Sequence, residues 1–89
     1  MSSHIDFLDF KNILNKNNIL LFDTQLRIAH FRYNQYIQNL PQYGGSNTLD
    51  TTKLLDKINK KNNCLLSHFI DSLIVNNISK TNYIIELIK

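Results

Sequence analysis

A compact all-α bundle of five to six short antiparallel helices is what this sequence predicts, and three observations carry the expectation. Apolar residues recur at three- and four-residue steps along most of the chain, and Leu66, Phe69, Ile70, Leu73 and Ile74 form the strongest such run. No segment keeps the period-two alternation of a half-buried strand. In the second half, Thr51 to Lys89, three amphipathic segments follow one another with almost no loop between them. The chain has 89 residues, enough for one domain, which we place at residues 3–89. At 43% hydrophobic and 19% charged it can fill a core and lacks the composition of a disordered segment.

The first helix is expected from about His4 to Lys16, with Ser3 as N-cap and Asp6 three residues on. It places Phe7, Phe10, Ile13 and Leu14 on one face, and Asn15, Asn17 and Asn18 weaken its end. The second should run from about Ile19 to Phe31, with Ile19, Phe22, Leu26 and Ala29 in helical register. A third, short helix is expected at Tyr33 to Leu40, where Pro41 stops it by forcing the preceding residue out of helical geometry. The loop Pro41 to Thr48 holds the only proline and both glycines.

A fourth helix, capped by Thr48 or Asp50, reaches Lys61 with Leu54, Leu55 and Ile58 inward. The fifth, Cys64 to Val75, is expected to be the most amphipathic, and Asn76-Asn77 should end it in a left-handed turn. Ser79 then caps a sixth helix that buries Ile84, Ile85 and Ile88.

The composition narrows the function classes. A net charge of +3 is mildly basic, and the carriers are lysines apart from Arg27 and Arg32, whereas base-reading surfaces lean on arginine. Abundant Asn, Ile and Lys read first as the codon bias of an AT-rich genome. The single cysteine, Cys64, allows no internal disulfide and suits a reducing intracellular setting, cytoplasmic or nuclear. The first residues lack the pattern of a signal peptide, and no apolar run approaches a membrane span.

Catalytic and metal signals are weak. Cys64 and His68 stand four apart on one expected helix, a spacing that suits a shared metal or a thiol–imidazole pair. His4 and His30 are distant in sequence, and no second cysteine completes a site. Gly44-Gly45 lacks the lysine and preceding strand of a phosphate loop. We therefore expect no enzyme, no metal and no cofactor. The tyrosines Tyr33, Tyr36 and Tyr43 surround the loop, either as a partner anchor or as core edge with wet hydroxyls.

Charge placement is more informative. Lys53, Lys57 and Lys60 recur at i, i+4 and i+7 with Lys61 beside them, a basic ridge on the fourth helix. Asp6, Asp9 and Asp23 gather near the first two helices, and Arg27 flanks the stripe of the second. Opposite charges on separate elements permit head-to-tail docking between identical or related domains. These eight residues are the candidate partner-binding set. A rival reading makes the last two helices a helix-turn-helix whose second member exposes Lys80, Thr81 and Asn82 to nucleic acid. A third makes the chain an assembly subunit that buries an apolar face in an obligate oligomer.

The terminal pattern resembles the death-fold superfamily, and the caspase recruitment domain within it. The residues that carry the likeness are Leu54-Leu55, the basic end Lys60-Lys61-Asn62-Asn63, His68-Phe69-Ile70 with Leu73, and Tyr83-Ile84-Ile85 with Leu87. Phe10 to Leu14 followed by Asn17 and Asn18 is similar to the family's kinked first helix. The stretch YNQYIQNL carries no charge where the family's third helix is acidic, and the death effector domain's RxDL triad is absent from Asn76 to Tyr83. The resemblance implies six helices in Greek-key order and homotypic protein binding in apoptotic or inflammatory signalling, or its viral modulation. It also implies that the lysine ridge docks on an acidic patch of a neighbouring domain.

Overall fold

The structure, a computed structural model, describes residues 4–39 and 51–88. They form five α-helices and no strand: α1 (Phe7–Lys16), α2 (Asp23–Gln38), α3 (Thr51–Lys61), α4 (Asn63–Ile74) and α5 (Ile78–Leu87). The all-α bundle expected from the periodicity is the fold. The expected loop, Tyr43, and the caps at Ser3, Thr48 and Asp50 lie outside the described residues.

α4 is the hub. It packs against α2, α3 and α5, and α1 packs against α2. Leu66, Phe69, Ile70 and Leu73 of α4 are all buried, meeting Leu54, Leu55 and Ile58 from α3 and Ile84 and Ile85 from α5. Phe10, Ile13 and Leu14 of α1 complete this core with Leu26, Ala29, Tyr33 and Ile37 of α2. An aromatic chain threads three helices: the Phe10 and Tyr33 centroids are 5.6 Å apart, and Tyr33 meets Phe69 edge-on at 6.0 Å. Tyr33 is therefore a central core residue rather than core edge.

The second and third expected helices are one. Leu26, Ala29, Tyr33 and Ile37 form a single stripe, and no Gly, Pro or Asn between Ala29 and Tyr33 breaks it. α2 also starts later than expected, at Asp23. Phe22 is its N-cap, in extended geometry, with a backbone N–H that donates to Gln25 Oε1 at 3.2 Å. Phe22 thus leaves the predicted stripe and stands 80% exposed.

α1 likewise begins at Phe7, not His4, because the preceding chain is pulled elsewhere. The Ile5 N–H donates to Asn34 Oδ1 at 2.9 Å, and the Ile5 carbonyl lies 2.8 Å from His30 Nε2. Asn34 Nδ2 donates to the same Ile5 carbonyl at 3.2 Å and lies 3.2 Å from His30 Nε2. These bonds fold residues 4–6 onto α2 and bury the Ile5 side chain.

Asparagines set the helix boundaries. Asn18 and Asn76 adopt left-handed geometry, with φ of 63° and 58°. Each ends its helix in a Schellman turn: Ile19 N–H donates to Leu14 O at 2.8 Å, and Asn77 N–H to Ser72 O at 2.8 Å. Asn62 caps α4 by accepting from the Cys64 N–H at 2.8 Å. Asn77, not Ser79, caps α5, accepting from the Lys80 N–H at 3.1 Å. α3 rather than α4 separates its polar and apolar sides most sharply, because α4 is packed on three sides and apolar overall.

Candidate functional site

Two charged surfaces and one groove are the candidate working parts. α3 buries Leu54, Leu55 and Ile58, so its opposite side must carry the intervening residues to solvent. Lys53, Lys57, Lys60 and Lys61 are all exposed there. Lys60 and Lys61 occupy the last turn of α3, where cations offset the partial negative charge of the helix terminus. Lys57, Lys60 and Lys61 have no ion-pair partner among the described residues. Asn62 is the single residue between α3 and α4, and α3 packs against the hub through its buried side.

The candidate acidic residues Asp6, Asp9 and Asp23 lie on the α1–α2 side, where Lys11 and Lys16 of α1 are exposed as well. Asp6 is the N-cap of α1 and Asp9 lies in its first turn, and both are exposed. Their charges complement the positive end of α1. Asp23 differs. Its carboxylate accepts from Arg27 Nε at 2.8 Å, and the Arg27 guanidinium also lies 4.8 Å from the centre of the Phe7 ring. The structure therefore brings Asp23 and Arg27 together as an exposed internal pair beside Phe7, worth about 0–1 kcal/mol. Asp6 and Asp9 keep no ion-pair partner among the described residues.

The groove was not foreseen. It encloses about 330 Å³ between the later half of α2 and the α4–α5 corner. Arg32, Gln35, Tyr36 and Asn39 supply one wall from a single face of α2, while Leu73, Asn76, Ile78 and Asn82 supply much of the other. Two side chains span it. Arg32 Nη1 donates to Leu73 O at 3.0 Å and to Ile74 O at 2.8 Å, satisfying the last carbonyls of α4. One turn further along α2, the Tyr36 hydroxyl donates to Asn82 Oδ1 at 2.6 Å. Ser72 and Thr81 also line it, both fully buried. A helix-end cap across 41 residues of sequence leaves no local signature, although the left-handed Asn76 marked the corner.

The remaining candidates separate. Cys64 and His68 are both exposed on α4, and no group of three or more His, Cys, Asp or Glu among the described residues is placed to hold a metal ion. In the helix-turn-helix reading Thr81 should be exposed, but it is fully buried against Ser72. Lys80 is drawn to Asp71, with Nζ 3.5 Å from Oδ2. Asn82 alone of the three keeps the expected exposure, although Tyr36 occupies its oxygen. No helix among the described residues is long and apolar enough to cross a membrane.

The fold and these surfaces define the protein as an all-α bundle with a lysine row on α3 and two carboxylates at the start of α1, whose later turns carry Lys11 and Lys16. No family model matches the chain, and no curated protein or solved structure matches it either.

Proposed function

We propose that this domain is a protein-binding module that docks through the lysine row of α3, with Asp6 and Asp9 of a second domain as the reciprocal surface. The observation that carries the reading is the row itself: Lys57, Lys60 and Lys61 are exposed on a helix packed against α4 and without anionic partners among the described residues. Each exposed pair contributes little, so several must act together, and the docking weakens as salt screens them.

The resemblance of the terminal helices to a caspase recruitment domain extends the proposal to homotypic signalling of the death-fold type, in a reducing intracellular compartment. The burial of Leu54-Leu55, Phe69-Ile70 and Ile84-Ile85 and the exposure of Lys60-Lys61 support it. The continuous α2 weighs against it, since it leaves five described helices where that family has six. A charge reversal tests the docking reading. Lys57→Glu with Lys60→Glu should abolish partner capture or self-association with helicity intact, and unchanged binding would remove the proposal.

One observation favours a second reading, an assembly subunit. Leu20 and Phe22, flanking the half-buried Leu21 between α1 and α2, are 79% and 80% exposed. Contact through them would persist at high salt, which separates the two readings by sedimentation.

A further inference from the structure

We infer that the groove between α2 and the α4–α5 corner is a second binding site, which takes the free C-terminal carboxylate of a partner polypeptide. The recognising group is Arg32. Its Nη1 is committed to the Leu73 and Ile74 carbonyls, which locks the guanidinium in place. The Nε–H and Nη2–H groups have no partner among the described residues. That edge presents parallel donors, the arrangement that binds a carboxylate through both oxygens. Arg32 is half-buried and is the one charged residue in the lining among the described residues, so no carboxylate among them competes for it.

The rest of the wall suits a peptide main chain. Gln35, Asn39 and Asn76 bring exposed carboxamides, each with a donor and an acceptor like the peptide group they would pair with. Ile78, 53% exposed, adds an apolar surface for an aliphatic last side chain. A chain end fits better than a chain passing through. The Arg32–α4 and Tyr36–Asn82 bridges cross the groove one helical turn apart, roughly 6 Å along α2. A continuous strand would have to break one of them, whereas a terminus need not. This surface is separate from the lysine row and does not depend on that reading.

The test uses the isotope-labelled full chain and a blocked tetrapeptide, acetyl-Ala-Ala-Ala-Ile, as the free acid and as the C-terminal amide. The free acid should shift the Arg32 Nε–H and the Asn76 and Ile78 backbone signals saturably, with the amide at least about tenfold weaker. Gln35→Glu adds a carboxylate to the same wall, three residues from Arg32 and at an exposed position, and should weaken the acid by a similar factor. Lys57→Glu with Lys60→Glu should leave it unchanged. Equal binding of acid and amide overturns the proposal, as does absence of binding by both. Saturation by acetate at the same concentration would reassign the groove to small anions, and loss of binding in the lysine variant would reassign the peptide to α3.

Discussion

Ser72 and Thr81 face each other across the α4–α5 contact with hydroxyl oxygens 2.7 Å apart, both fully buried. Ser72 Oγ also lies 2.6 Å from Phe69 O, and Thr81 Oγ1 3.0 Å from Asn77 O. Each hydroxyl has a single hydrogen, so the pair cannot donate along all of these contacts at once. Either hydroxyl alone still finds a carbonyl. Ser72→Ala and Thr81→Val should therefore each cost only about 1 kcal/mol. The double variant should lose clearly less than the sum, by urea unfolding; strict additivity would mean that the two hydroxyls act independently.

Phe69 stands where α4 meets the aromatic chain from α1 and α2, with no exposed surface. Phe69→Ala removes the ring and leaves a cavity at the hub, a change worth about 3–5 kcal/mol. A domain of this size has a stability of about 5–15 kcal/mol, so the variant should be unfolded or nearly so by circular dichroism at moderate urea. A loss below about 1 kcal/mol would mean that α4 is turned the other way.

Asn76 holds a left-handed backbone at the end of α4. Asn76→Gly should be neutral or slightly stabilising, since glycine enters that geometry without a Cβ penalty. Asn76→Val should cost about 1–2 kcal/mol, because a β-branched residue resists it. Thermal melts of the two variants should differ in this order, and an equal melting temperature would contradict the Schellman turn.

Arg32→Met keeps much of the stem and removes both hydrogen bonds to the end of α4. The expected loss is about 1–2 kcal/mol, at the lower end of charged hydrogen bonds because the site is only half-buried. Hydrogen exchange should rise first at Asn76 and Asn77, whose N–H groups close the same helix end. Unchanged protection there would remove the capping role.

The inward faces were legible because they are local patterns. Leu54, Leu55 and Ile58, the Leu66 to Leu73 run and the Ile84-Ile85 pair follow helical spacing, and all are buried. The lysine row was legible for the same reason, since one helix fixes its register. The late start of α1 depends on neighbours far away in sequence. Ile5 leaves α1 because Asn34 and His30, more than two dozen residues on, hold its backbone. Asp23 was grouped with Asp6 and Asp9, yet Arg27 one turn on engages it. The helix ends at Asn18 and Asn76-Asn77 are legible as asparagine clusters, whereas the caps that Asn62 and Asn77 supply to α4 and α5 are not; a short amide both accepts from backbone N–H groups and tolerates left-handed geometry. The split of α2 was misplaced for a simpler reason: its stripe continues through Tyr33, and the expected break rested on no helix-breaking residue.

The charge-docking account is tested most directly by swapping charges between two variants, one with Lys57→Glu and Lys60→Glu, the other with Asp6→Lys and Asp9→Lys. By sedimentation velocity at low salt, the unaltered chain should self-associate and each variant alone should stay monomeric. An equimolar mixture should then form dimers that dissociate as salt is raised. A mixture that remains monomeric while the unaltered chain associates would contradict the pairing of these two surfaces, and an unaltered chain monomeric at every concentration would contradict self-recognition.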